Sequence, residues 1–523
     1  MFRCNFAASA MLFVGILLAT SFSGCSDNSP SSTPATNDTP SGSATASSPS
    51  TPAKRPAPPP APPQSAFDST PAKSTDAGQS TAQTTSPPSS PAKPEPKPAA
   101  NRTYPPQMLP DATTDIPAWA GKDKDEPFDV KKYLESRAAP LDNAAPLYFE
   151  AMAELCPFMD FVYPPDQWQE RLPKVKALAE DISNVFDIEK LKNGSVSLTE
   201  LERVLKNAES VQEKIDKAQK INKCIFITGM RIDSNLPHLD ASGYICDLEV
   251  LQIYHAGKSG NFTEAEQAIK RMFRLTHDIC QRGFAYALLT SIDLEKCIIT
   301  AINKYTLDQN NLTTKECDHL IDMLMEQQHD TNHALQEVLQ MDYIMGRNTI
   351  ADVKQGRMTL EDIRKRFPKQ PDNYFTDLGN YLPHANWQAE ITAYNQAYSS
   401  ILGMADRPYY EIKNRYETEV ESKLRNQNVK LIDWIIPNIP YLLGLRAKEQ
   451  AKLSSTLCMI AVRKYELTHG KPPPYLSTAI AGTVLKEIPV DPFTGKPMRY
   501  EYADGKYKIS YGSDQQNSGG TGN

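Results

Sequence analysis

Eight histidines, a scatter of cysteines and many carboxylates are the side chains with which this 523-residue chain could do chemistry. His329 and His333 stand four residues apart, so a helix would turn both toward one ion. A hydrolytic zinc site needs a third ligand and a general base, as in H-E-x-x-H, and the intervening Asp330-Thr331-Asn332 does not supply that pattern. The pair therefore reads as a solvated helix face. Beyond residue 25 the cysteines are Cys156, Cys224, Cys246, Cys280, Cys297, Cys317 and Cys458. An odd number with no C-x-x-C pair argues against a zinc ribbon and against a regular disulfide framework. Their neighbours are apolar, as in Lys296-Cys297-Ile298-Ile299, so buried thiols are expected. Acids such as those in Glu411–Lys423 alternate with Lys and Arg at helix-surface spacing, which is a solvation pattern. The sequence shows no nucleophile elbow, phosphate-binding glycine loop, EF-hand loop or dinucleotide fingerprint. No catalytic residue and no cofactor is expected from it.

Whatever the chain recognises must be positioned by helices, because apolar residues recur every three to four positions from about Asp129 onward. Helices are expected over 142–155, 166–186, 198–218, 243–257, 262–281, 284–305, 313–329, 331–350, 359–367, 386–402, 408–425 and 446–468. Ser197-x-x-Glu200 reads as a capping box for the third of these. Gly260-Asn261 reads as a tight turn between two antiparallel helices. That turn resembles the inter-helix turn of a tetratricopeptide repeat, but no 34-residue self-similarity accompanies it. The pieces Gly260–Arg282, Phe284–Tyr305 and Leu320–Leu324 also resemble a group of bacterial envelope proteins with no assigned activity. This implies a helical fold and no particular reaction.

Leu431–Leu445 is the most hydrophobic stretch after the N-terminus, and Pro437 and Pro440 interrupt it. Trp434, Ile435, Ile436 and Tyr441 could form a contact for a partner or a membrane surface. The other reading, which the residues favour, is a buried linker packing the C-terminal unit onto the helical body.

After a helix ending at His469-Gly470 and the Pro472-Pro473-Pro474 stop, two alternating segments, Met498–Tyr502 and Lys506–Tyr511, flank Ala503-Asp504-Gly505 and predict a β-hairpin. This arrangement resembles the C-terminal half of type II secretion major pseudopilins. The match runs through Tyr465, His469-Gly470, Asp491-Pro492-Phe493, Gly495, Pro497, Tyr500, Tyr507, Gly512, Asp514 and Gly519-Gly520. The hydrophobic N-terminal spine of that family is missing, so polymerisation as a pilin is not implied. The resemblance offers Asp491 and Asp514 as calcium ligands, but the tail lacks the acidic pair that completes that family's site. A tight turn built on Asp491-Pro492 and Gly495 is the simpler reading.

The N-terminus has the physics of an export signal. It carries Arg3, an apolar run Ala7–Ala19 too short to span a bilayer comfortably, and then small residues. Ser23-Gly24-Cys25 resembles the lipobox of bacterial lipoproteins, with Phe22 in place of the usual Leu. The resemblance implies cleavage before Cys25 and lipidation of its sulfur, and several acyl chains anchor a protein stably where one does not. Residues 26–105 hold 19 of the 42 prolines and, apart from Phe67 and Tyr104, no aromatics. Such a stretch is expected to be a disordered tether, spanning roughly 50 Å as a coil and about 250 Å when stretched. The net charge of -7 resides in 106–523, which carries -9, so no broad positive field exists to hold nucleic acid.

The expected protein is mainly α: a multi-helix bundle or helical-hairpin array with a small C-terminal helix plus β-hairpin unit. Its parts are a signal peptide (1–24), lipidated Cys25 with its tether (25–106), a helical body (107–445) and a pseudopilin-like unit (446–523). The expected role is a non-catalytic interaction or scaffold module in the cell envelope, membrane-bound through its lipid, with an envelope protein or cell-wall component as partner. The alternatives are a cell-wall or polysaccharide hydrolase, and an accessory factor of a secretion machine.

Overall fold

A computed structural model describes residues 116–512, apart from breaks at 137–142, 187–190, 192–193, 227–229, 233, 235, 308–311, 367–371, 406, 428 and 504. The signal, Cys25, the Pro-rich stretch and Asp514 lie outside the described residues. The described chain is mainly α. In order it forms α1 (Val130–Ser136), α2 (Ala145–Ala153), α3 (Pro165–Val185), α4 (Leu198–Asn207), α5 (Glu209–Gln219), α6 (Pro237–Ser259) and α7 (Phe262–Cys280). Then come α8 (Ala285–Ala301), α9 (Thr314–Lys354), α10 (Leu360–Arg366), α11 (Asp372–Tyr381) and α12 (Trp387–Ala405). The chain closes with α13 (Tyr409–Ile412), α14 (Ser422–Arg425), α15 (Ile432–Ile435), α16 (Ile439–His469), α17 (Leu476–Ile480), β1 (Arg499–Ala503) and β2 (Lys506–Ser510).

The α6–α7 hairpin forms where expected. Gly260 ends α6 in the left-handed region at φ 72°, and the Asn261 side chain caps α7 by accepting the Glu264 N–H at 3.3 Å. The turn into α8 is tighter. Arg282 holds φ 52°, and a Cβ on Gly283 would lie 2.5 Å from Ala287 Cβ. Carboxylates on α9 hold this turn: Glu337 accepts the Arg282 N–H at 3.2 Å, and Asp342 accepts the Ala285 N–H at 3.1 Å. Helices α7, α8, α9 and α16 pack together, and α12 lies against α9. Across their centre Glu295 of α8 pairs with Arg446 of α16 at 2.9 Å and accepts from Gln327 of α9 at 3.1 Å.

Four boundaries differ from expectation. The expected helices 313–329 and 331–350 are one 41-residue helix, α9, opened by a Thr313–Glu316 capping box. The polar run His329–Asn332 contains neither Pro nor Gly, so nothing in it breaks the backbone hydrogen bonds. The expected helix 198–218 is divided at Ala208, and 408–425 resolves into α13, a π turn over Glu417–Glu421 and α14. The division at 445/446 falls inside α16, whose first turns are buried through Leu442, Leu443 and Arg446. Pro440 does not end a helix there; it sits in the first turn of α16, where its missing N–H has no partner to lose.

The β-hairpin forms where expected, with Tyr500 opposite Ile509; Ala503, expected in the turn, ends β1 opposite Lys506, and Gly505 takes φ 76° in the turn. Lys464 fastens this end of the chain to α9. Its ammonium donates to Asp318 at 2.7 Å and to the Gly482 carbonyl at 2.6 Å.

Candidate functional site

The C-terminal end of α9 builds a cleft. Gly356 adopts φ 69°, which lets the N–H groups of Arg357 and Met358 both return to the Asp352 carbonyl, at 2.8 and 3.2 Å. Thr359 then caps α10: its hydroxyl accepts the Asp362 N–H at 3.2 Å, while its own N–H donates to the Asp362 carboxylate at 2.9 Å. This turn aims Arg357, Met358, Asp362, Ile363 and Lys365 into one concavity of about 360 Å³. Arg231 and Ile232, from the segment before α6, and Trp434 of α15 complete the lining.

Three of the lining side chains are cationic and one is anionic, so the cleft is positive on a chain that is negative overall. Asp352, with a side chain only 8% exposed, orders the arginines: it holds Arg357 at 2.6 Å and Arg231 at 3.5 Å. Both guanidinium side chains remain about half exposed, at 54% and 45%. The Asp362 carboxyl is held below the ordinary carboxylate range, chiefly by its Thr359 hydrogen bonds and further by the nearby Lys365 and Arg231 charges. It is therefore ionised and a poor proton donor. The rest of the lining is Ile232, Met358, Ile363 and Trp434, the last three at most 6% exposed. Cations gathered in one cleft recognise an anionic group by charge and hydrogen bonding.

Of the expected contact residues, only Trp434 reaches this cleft. The reading of Trp434, Ile435 and Ile436 as a contact is corrected by their burial, at 2%, 5% and 7% exposed; Tyr441 is half-buried. Ile435 packs on α9 beside Gly346, so the segment's hydrophobicity serves the protein's own core.

Asp491 is buried and organises a turn. One oxygen accepts the Phe493 N–H at 2.9 Å, and the other accepts the Thr494 hydroxyl at 2.7 Å and the Gly512 N–H at 2.9 Å. Those bonds take most of the carboxylate's acceptor sites and hold the tight turn around Asp491-Pro492 and Gly495. Among the described residues no three His, Cys, Asp or Glu side chains come together as a metal site. His329 and His333 share α9, and their side chains lie outside the described residues, as do Cys25 and Asp514. All the cysteines from Cys156 onward are free thiols, buried except for the half-buried Cys297. Burial pushes the Cys280 and Cys458 thiols up to about 12.

Arg231, Arg357 and Lys365 escaped sequence reasoning because single cations in polar segments look like solvation. The signal that was present is local: Gly356, then Thr359-x-x-Asp362, marks a helix stop followed at once by a helix start. Comparison of the chain with protein-family models, with curated proteins and with solved structures gives no match in any of the three.

Proposed function

We propose that this is a lipid-anchored envelope protein whose helical body is a non-catalytic binding module, and that the cleft at the end of α9 receives an anionic group of its partner. The carrying observation is the set of three cations, Arg231, Arg357 and Lys365, gathered around one concavity. Asp352 holds the two arginines in place before any ligand arrives, which reduces the entropy lost on binding. The anchor part of the reading comes from Ser23-Gly24-Cys25, and the stand-off from the Pro-rich 26–105 stretch. A cell-wall component or an envelope protein with exposed carboxylate or phosphate groups suits both.

The test is crosslinking in intact cells followed by identification of the captured species. Wild type is expected to capture a species that the Lys365→Glu protein loses while remaining in the membrane fraction. Identical capture by the two proteins would remove the cleft from the function.

A further inference from the structure

The β-hairpin turns one face to solvent, and the pairing register fixes what stands on it. Side chains alternate along a strand, so Arg499, Glu501 and Ala503 of β1 share a face with their partners Ser510, Lys508 and Lys506 of β2. All of these are exposed except the half-buried Ser510. The other face carries Tyr500, Tyr502, Tyr507 and Ile509. It is seated on the body: the Tyr500 hydroxyl donates to the Pro473 carbonyl at 2.7 Å, and β2 packs against α16.

The outward face therefore holds three cations and one acid along about 14 Å of strand. Among the described residues the side chains of Arg499, Lys506 and Lys508 have no ion-pair or hydrogen-bond partner. Glu501 stands directly opposite Lys508 without closing an ion pair. Elsewhere the protein uses such side chains on itself: Lys464 binds Asp318, and Arg446 binds Glu295. Residues 470–523 carry six Lys and Arg against five Asp and Glu, on a chain of net charge -7. At physiological ionic strength charges more than about 8 Å away are largely screened, so the hairpin face acts by its own charge rather than by that of the acidic body. On the reverse face, at the turn end, Tyr502 is still 42% exposed. Cations with a tyrosine close by are the side chains that settle at the headgroup level of a bilayer.

We propose that this hairpin docks the body on an anionic lipid surface, with Arg499, Lys506 and Lys508 against headgroup phosphates and Tyr502 at the interface. The step rests on the anchored reading above, because a chain fixed to a membrane needs only weak attraction to lie on it. Each Lys or Arg near an anionic leaflet favours the bound state about fivefold. Three of them, less the opposing Glu501, give about 30-fold. That is too little to recruit a free protein. A coil the length of 26–105 keeps the body within roughly 50 Å of its anchor, where such a bias decides between lying down and standing off.

Amine footprinting tests this on the processed chain from Ser26 onward, held on vesicles by an N-terminal histidine tag and a nickel-chelating lipid. The tag replaces the acyl chains, so the result does not depend on lipidation of Cys25, which fatty-acid labelling in cells checks separately. Acetylation of Lys506 and Lys508 is followed by mass spectrometry on phosphatidylcholine vesicles with and without phosphatidylglycerol. Lys131, Lys217 and Lys270, at 59%, 60% and 59% exposed, serve as internal references. Phosphatidylglycerol is expected to slow Lys506 and Lys508 at least about twofold relative to the references, and high salt to restore both rates. Arg499→Glu makes the face neutral and leaves both reporter lysines in place, and it is expected to lose the protection. Unchanged rates on phosphatidylglycerol would overturn the docking and leave the anchor standing. Equal slowing on both kinds of vesicle, or in Arg499→Glu, would overturn the role of the cationic face. Slowing by soluble polyglutamate but by neither vesicle would make the face a site for an acidic macromolecule and overturn the lipid surface. Arg499 is exposed and lies opposite Ser510, so the variant keeps the hairpin, and an unchanged circular dichroism melt checks that.

Discussion

His238 shows how burial decides what a titratable side chain does. It is 1% exposed, stacked on Phe226 with ring centres 4.5 Å apart, and set edge-on to Phe149. This apolar surround pushes its pKa from the ordinary 6.5 down to about 3. A lowered pKa means that the folded state resists protonation. The stability His238 contributes is therefore complete above pH 6.5 and is lost as pH falls through about 3. Asp342 works in the opposite sense. Burial raises its carboxyl to about 7, so its contribution is complete below the ordinary 3.8 and is lost as pH rises through 7. The two opposing terms blur the pH profile of the wild type, but a difference measurement separates them. His238→Phe should keep the aromatic packing and remove only the histidine term. Urea melts of wild type and variant between pH 6.5 and 3 should diverge by about 1.4 kcal/mol per pH unit in favour of the variant. Parallel pH dependence in the two proteins would show that His238 titrates normally.

At the scale of elements, α9 is the organising helix, and Gly346 is where it admits its neighbours. A Cβ at this position would overlap the Tyr394 hydroxyl of α12 and lie 2.5 Å from Ile435 Cγ2 of α15. The Tyr394 hydroxyl donates to the α9 carbonyls of Asp342 and Tyr343, at 3.2 and 3.3 Å. In an exposed helix, replacing Gly by Ala stabilises by about 1 kcal/mol. Here overpacking should reverse the sign, and Gly346→Ala should lower stability by about 1–2 kcal/mol in a urea titration. A gain on substitution would mean that α12 and α15 stand further from α9 than described. The α6–α7 turn was legible in the sequence because Gly260-Asn261 is a local signal read by the backbone itself. The continuity of α9 was not. Its polar middle looked like a break, and a long helix lined by α7, α8, α12 and α16 does not need apolar residues at every turn.

For the molecule as a whole, the proposed anchor makes a plain prediction. Cells fed a clickable fatty acid should incorporate label into the wild-type protein and not into Cys25→Ser, and the variant should leave the membrane fraction. An unlabelled wild type, or one fractionating with cytosolic proteins, would defeat the anchored reading. Among the described residues no helix is long and apolar enough to cross a membrane. The C-terminal helix and hairpin do not stand apart from the body. α16 runs from the Pro437–Pro440 segment through the core, and Lys464 ties the following loop to Asp318 of α9.

Helical periodicity, the caps at Asn261 and Thr313, the α6–α7 turn and the hairpin over 499–510 follow from the chain's local order. Each depends on residues within a few positions of one another, and backbone hydrogen bonding reads such short-range patterns directly. The cleft does not. Arg231, Arg357, Lys365 and Trp434 belong to separate segments, and no local pattern says which helix end will face which loop. Their meeting is decided by how α9, α10 and α15 bury their apolar faces together. Hydrophobic burial is non-directional, so the partner of each face is settled only when the whole core is packed.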